Sequence, residues 1–473
     1  MDAVVVGSGP NGLAAAVTLA QAGLSVTVFE AAETIGGGTR TAELTVPGVL
    51  HDVCSAVHPL GVASPYLSSL PLADHGLTWL WPDIELAHPL DGDRAGVLLR
   101  SIDATATWLG ADGDAWRRSF GRLSERFDTL AAEILQPILH RPNHPGDLAR
   151  FGLRAGWPAT RYARRFATDE ARGLFAGCAA HAMTPLSWPV TAAVGSMFVA
   201  AGHRLGWPVA AGGSQSIATA LAGLLTSLGG TIETGVRIDS LAELPEHRVA
   251  LFDTSANALV DIAGDQLPAR SRRTLRRWRH GPAVFKLDLA VEGEIPWRAA
   301  ACRLAGTVHV GGTIESIAAA ERQVHRGVMP EQPFVLVAQQ YLADPSRSVG
   351  DVHPVWAYAH VPSGYPHDIS ETIIDQIERF APGVRDRIIA RHVMSPADLE
   401  SYNPNYVGGD IAGGANGPLR LLARPRLAPD PYATGVPGVY LCSSATPPGA
   451  GVHGMCGHLA ATRAIGYLAR TTD

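Results

Sequence analysis

The first thirty residues constrain this chain most. Ala3 to Val6 is a short apolar run of β type that ends in Gly7-Ser8-Gly9-Pro10-Asn11-Gly12. Leu13 to Gln21 reads as a helix, Gly23 as its stop, Ser25 to Phe29 as a second strand, and Glu30 follows directly. A strand, a GxGxxG turn, a helix and a strand closed by an acid form the unit that binds a dinucleotide. Gly7 permits the tight turn, Gly9 lets backbone approach a pyrophosphate, and Gly12 lets the helix pack on the strand. The anion then meets free amides at the helix start, around Pro10 and Asn11. Glu30 lies 18 residues after Gly12, where a carboxylate accepts hydrogen bonds from ribose hydroxyls and repels a ribose phosphate.

Composition narrows the class. Of 473 residues, 46% are hydrophobic and 17% charged, with 51 Gly and 34 Pro. That is ample for a buried core and too apolar for a disordered chain, and the length suits two or three domains. The net charge is −6, which excludes a nucleic-acid partner held by phosphate neutralisation. No window of about 18 uncharged apolar residues predicts a spanning helix. Cys54, Cys178, Cys302, Cys442 and Cys456 stand singly, so neither a disulfide framework nor a metal site is expected. No basic segment precedes the apolar N-terminus, so it does not read as a signal peptide. A cytoplasmic protein is expected, with peripheral membrane contact as an extension of that reading.

Two further glycine segments follow the same logic. Gly36, Gly37 and Gly38 come six to eight residues after Glu30, then Thr39 and Arg40. A second glycine turn there lets backbone pass close to a pyrophosphate and ribityl chain, and Arg40 offers the phosphates a charge-assisted bond. Near the other end, Gly438 to Cys442 reads as a strand. Ser444, the glycine turn Gly449-Ala450-Gly451-Val452-His453-Gly454 and a helix from Met455 follow.

These motifs, in this order at opposite ends, resemble the flavin amine oxidase and phytoene desaturase superfamily. Amine oxidases usually place an arginine directly after the glycine doublet. Gly38 stands there instead, which leans towards the phytoene desaturase-like branch. The resemblance implies non-covalent FAD. The backbone near Ile238 would hold the adenine edge. Ser444, Gly451, Val452, Gly454 and Met455 would pass the isoalloxazine, with helix-start amides stabilising negative charge on its pyrimidine end. The expected class is α/β: a Rossmann-like discontinuous FAD-binding domain (1–70, 206–275 and 401–473) with an inserted α+β substrate domain (71–205 and 276–400).

The implied activity is that of an FAD-dependent oxidoreductase taking a hydride from a largely apolar organic substrate. Electrons would pass to oxygen, a quinone or another acceptor. A flavin amine oxidase is the alternative, or a non-redox flavoprotein acting as isomerase or scaffold. No second complete fingerprint points to a stable NAD(P)H site.

Catalytic candidates are fewer. His58 faces either the flavin or an ordinary loop partner, and His453 sits in the last glycine turn. Lys286 is the only lysine, in a strand Phe285 to Leu289. It resembles the amine oxidase lysine that holds a water against the flavin; an exposed strand-end lysine is the plainer alternative. Ala182 to Trp207, nearly uncharged and rich in Met and aromatics, is either helical core or the wall of an apolar pocket. Six arginines between Arg270 and Arg279 read as a solvated helix face. One helix is expected from Asp112 through Ile134, and strands at Thr231–Thr234 and Val236–Leu241.

Overall fold

The computed structural model describes residues 1–471, apart from the side chains of 421 and 422. The chain opens with β1 (Ala3–Val6), α1 (Pro10–Gln21) and β2 (Val26–Phe29). It crosses to β3 (Ile84–Pro89) and β4 (Ala95–Leu98), then runs through α2 (Gly113–Glu125), α3 (Phe127–Ile134), α4 (Pro145–Ala155), α5 (Asp169–Ala180) and α6 (Thr191–Arg204). It returns with α7 (Gln215–Ser227), β5 (Thr231–Glu233), β6 (Val249–Phe252) and α8 (Ala269–Arg276), and leaves again with β7 (Ala283–Glu292), β8 (Ala305–Val310), β9 (Val335–Ala338) and β10 (Val352–Val361). After α9 (Ser370–Phe380) and β11 (Ile388–Met394), β12 (Val439–Leu441) and α10 (Met455–Thr471) close the first layer.

Five strands form a parallel sheet in the order β12–β6–β1–β2–β5. Its inner strands are continuous apolar runs (AVVV, VTVF, VALF), as expected of a sheet covered on both faces. On one face α1, α7 and α10 share a core built on Leu13, Val17, Leu221 and Ala460. On the other, Leu259, Val260, Leu275 and Trp278 pack against Val4, Val6 and Phe252. The seven-stranded second sheet, ordered β11–β7–β10–β9–β8–β3–β4, is antiparallel except at β8–β3. Helices α2, α5 and α6 cover one of its faces and α9 the other. The first sheet thus draws strands from 3–29, 231–252 and 439–441, and the second from 84–98 and 283–394.

Two expected elements differ. The 112–134 helix breaks at Arg126 (φ −100°, ψ 13°), whose guanidinium is held by Asp147 of α4 at 3.0 Å. Val236–Leu241 forms no ladder. Gly235 N–H and Val236 N–H bond instead to Ala32 O and Glu30 O at 2.9 Å each, tying this segment to the end of β2. The arginine run is a solvated face: α8 presents Arg272 to Asp265 and Arg276 to Asp261.

The layers are pinned where α10 crosses α1. A Cβ built on Gly457 would lie 1.8 Å from Asn11 O, and one on Gly454 2.9 Å from the Ala14 Cβ. Gly457→Ala must therefore push the two helices apart. We expect a loss of about 1–3 kcal/mol in thermal or urea unfolding, with weaker retention of bound flavin because Asn11 moves.

Candidate functional site

A cavity of about 930 Å³ runs along the C-terminal ends of the parallel strands and on into the second layer, the place where open α/β sheets bind ligands. Its nucleotide end is built by the turns after β1 and β2. Glu30 is fixed as an acceptor: Ser8 N–H and Oγ–H donate to Oε2 at 2.8 and 2.6 Å, and Ala32 N–H to Oε1 at 2.9 Å. Arg40 donates from Nε and Nη2 to Thr34 O at 3.0 and 2.6 Å and lies 3.5 Å from Glu30. Its guanidinium is therefore largely spent on positioning the acid. Gly12 serves packing, since a Cβ there would sit 2.0 Å from Gly7 O. Gly36, at φ +115°, turns the chain so that its N–H reaches Ser8 O at 3.0 Å. Gly37 approaches Gly9 so closely that a Cβ would lie 3.1 Å from the Gly9 Cα.

Gly7, Gly9, Pro10, Asn11, Glu30, Gly37, Gly38, Thr39, Arg40, Ile238, Ser444, Gly451, Val452, His58 and His453 all border this one cavity. Gly12, Gly36, Gly454 and Met455 stand behind its wall. Gly454 carries the α10 contact, and Met455 N–H donates to His453 Nδ1 at 3.1 Å. His453 thereby closes the start of α10. Burial holds this ring down at about 4, so it is neutral at pH 7. His58 Nε2 lies 2.7 Å from Ser214 Oγ, which itself donates to Ser55 O at 2.7 Å. His58 Nε2 is therefore the donor, and Nδ1, buried and without a partner among the described residues, is left as an acceptor. Burial lowers this ring to about 4 as well.

Lys286 is 2% exposed, which removes the exposed strand-end alternative. It pairs with Asp288 two residues on along β7. His51 and His392 lie 3.6 and 3.5 Å from the same carboxylate. Burial alone would raise the Asp288 carboxyl, but Lys286, His392 and His51 hold it well below the usual carboxylate range. The cross-strand neighbours Tyr358 and Trp356 border the cavity where Lys286 does not.

Sequence reasoning missed three contributors. The Tyr402 Oη–H donates to Gly37 O at 2.8 Å. Tyr406 explains Gly38, because a Cβ there would meet the Tyr406 Oη at 2.2 Å. Asp253, at the end of β6, accepts from Gly12 N–H at 2.9 Å; an acid closing the apolar run Val249–Phe252 was the available signal. Arg424, 2% exposed, also borders the cavity, and its Nε has no partner among the described residues.

The residues present fit a flavin dinucleotide. The glycine-lined approach, the preset ribose acceptor Glu30 and Asn11, whose buried Oδ1 has no partner among the described residues, all border one cavity of about 930 Å³. Glu30→Ala should remove the ribose acceptor and release flavin on gel filtration, read as loss of absorbance near the protein peak. Lys286→Met should leave the buried Asp288 facing only His51 and His392, costing about 3–5 kcal/mol in denaturant unfolding.

Comparison with known proteins agrees with this geometry. A family described as NAD(P)-binding Rossmann-like domain matches residues 5–70. The chain is 25% identical to mouse pyridine nucleotide-disulfide oxidoreductase domain-containing protein 2, over 97% of this chain and 92% of that one. It is also 25% identical to hydroxyneurosporene desaturase of Rhodobacter capsulatus, over 95% and 94%. Putrescine oxidase shares the fold, with a TM-score of 0.62 at 20% identity over 99% of both chains. With its dinucleotide cradle, its two-layer fold and these whole-length relatives, the chain is an FAD-dependent oxidoreductase that is similar to a desaturase over nearly its whole length.

Proposed function

We propose that the protein removes a hydride from a long, largely apolar organic substrate, in the manner of a desaturase or dehydrogenase. The observation that carries this reading is the wall of the cavity beyond the flavin cradle. It is lined by Met183, Val194, Met197, Phe198, Trp207 and Leu336, with Trp356 and Tyr358 beside them. Substrate C–H bonds held against such a wall exchange no hydrogen bonds with it, so orientation comes from shape and water is excluded. FAD, when bound, supplies the two-electron acceptor. The neutral His58 borders the cradle with its Nε2–H held by Ser214, and His453 keeps the start of α10 aligned.

Two side chains of this wall are held in strained backbone. Met183 (φ 51°) and Val190 (φ 73°) are the non-glycine residues at positive φ among those described, and both line the cavity. For a β-branched valine this conformation costs about 1–3 kcal/mol, which the pocket's shape requires.

An amine oxidase activity is disfavoured by the aromatic geometry. Trp356 and Tyr358 meet edge to face at 84° with centroids 4.9 Å apart, so they do not present two parallel faces to an amine. Lys286 is engaged by Asp288. Slowed flavin reoxidation in Lys286→Met at full flavin occupancy would return that lysine to the reacting atoms.

The outer end of the cavity is α4 and the turn before it. Leu148, Phe151 and Ala155 face inward, while Leu153 and Leu139 are 77% and 50% exposed. Arg150, Arg154, Arg161 and Arg164 surround them in sequence. This edge suits peripheral contact with an anionic lipid surface that delivers the substrate. Among the described residues no helix is long and apolar enough to cross a membrane.

An anaerobic screen tests both parts. Apolar polyenes or long alkyl ketones in vesicles should bleach the flavin absorbance, and small charged amines should not. Leu153→Glu should slow bleaching by vesicle-borne substrate several-fold and leave detergent-dispersed substrate unaffected. Rapid bleaching by a small, highly charged amine would overturn the substrate class.

A further inference from the structure

Asp253 stands in an unusual position for an acid. β6 pairs with β1 so that Val6 lies opposite Phe252, and the next residue, Asp253, comes beside the first glycine turn. Its Oδ2 accepts from Gly12 N–H at 2.9 Å, inside the first turn of α1. A Cβ on Gly9 would lie 2.6 Å from the same oxygen. Asp253 borders the cavity next to Gly7, Gly9 and Asn11, and Asn11 contributes a buried, unpartnered Oδ1 there. A carboxyl group thus shares the helix terminus at which a dinucleotide pyrophosphate is held.

The titratable groups facing it offer no counter-charge. They are Glu30 after β2, Cys442 after β12 and Cys456 on α10; the guanidinium of Arg40 is turned to Thr34 O and Glu30. An ionised Asp253 beside Glu30 and a pyrophosphate would gather three anions in one low-dielectric corner.

We propose that Asp253 holds the cofactor as a neutral carboxylic acid. Oδ2 accepts the Gly12 N–H, and the proton on Oδ1 is donated to a pyrophosphate oxygen. Binding of FAD to the ionised form therefore takes up one proton from solvent, which stays on Asp253 while the cofactor is bound. The environment is prepared for this. Burial pushes the carboxyl up to about 7 with Glu30 adding to the rise, against the Gly12 hydrogen bond. A phosphate placed beside it raises it further. The sign follows: below about pH 7 the acid is already protonated and affinity is flat, and above it each pH unit weakens binding until the bound-state value is reached. The inference rests on FAD being the dinucleotide but adds the protonation state of a residue outside the glycine motif.

The full-length flavoprotein tests it by equilibrium dialysis between about pH 6 and pH 9, with released FAD measured by fluorescence. The wild type should lose affinity by up to about tenfold per pH unit above about pH 7. Asp253→Asn offers Gly12 a carbonyl and the phosphate an amide N–H, so its affinity should be flat and exceed the wild type's at the alkaline end. Titration calorimetry of the wild type near pH 8, in buffers of different ionisation enthalpy, should show uptake of close to one proton. That measurement decides if Asp253→Asn does not fold. A flat wild-type profile, no net proton uptake, or an unchanged slope in Asp253→Asn overturns the proposal. Failure of the wild type to bind FAD near pH 6 overturns the cofactor assignment itself.

Discussion

Everything at the cofactor end depends on how closely α10 lies across α1. The contact is backbone to backbone: Gly457 sits where a methyl group would be 1.8 Å from Asn11 O, and Gly454 packs on Ala14. Those two helices join the first twenty residues to the last twenty. The Gly7–Gly12 turn is thereby held between β6 on one side and the Gly449–Gly454 turn on the other. A loose crossing would separate the pyrophosphate cradle from the segment that passes the flavin ring. The parallel sheet supplies the second constraint, since β1 is hydrogen-bonded on both edges and its C-terminal turn has little freedom.

The second layer is locked to this frame by buried charge. Arg347 pairs with Asp52 and lies 3.1 Å from Asp344, and its Nη2 donates to Ala210 O at 2.6 Å. Asp52 in turn accepts from Ser214 N–H at 2.7 Å, and Asp344 from Gly212 N–H at 2.8 Å. The glycine turn that starts α7 is thus held by two carboxylates sharing one arginine. Ser214, fixed in this way, orients His58. Such a node stabilises little compared with an apolar substitute but is costly to break. Its effect is positional: it sets which ring nitrogen of His58 carries the proton.

Legibility in the sequence follows from how local each requirement is. The GxGxxG turn, Glu30 and the terminal glycine turn announce themselves because close backbone approach admits only glycine at fixed spacing. Lys286 drew notice through composition, and its partner Asp288 lies two residues on in the same strand, yet His51 and His392, which complete the cluster, come from distant parts of the chain, so its burial could not be read from spacing. Val236–Leu241 has strand composition, but its start is hydrogen-bonded to the turn after β2, at Ala32 O and Glu30 O, and pairs with no strand among the described residues. Gly38 read as a departure from an amine oxidase pattern. The structure gives its cause in Tyr406, 368 residues away in sequence, whose hydroxyl fills the space a side chain would need. Asp253 was visible as a strand-ending acid, and only the pairing of β6 with β1 turns it into a cofactor-facing group.

The division of labour between the two layers now has a physical basis. The cradle is polar, glycine-lined and over-determined by hydrogen bonds, because a dinucleotide presents fixed donors, acceptors and charge. The far wall carries Met, Phe and Trp side chains on α6 and β10 and tolerates Met183 and Val190 in left-handed backbone. Those side chains supply area and shape but almost no hydrogen bonds. Specificity for the apolar substrate proposed above would then come from the length and curvature of the cavity. The same polar end can serve many such cavities. What the protein acts on is therefore set by the residues least visible as motifs, those between α4 and Trp207, and not by the glycine turns that hold the flavin.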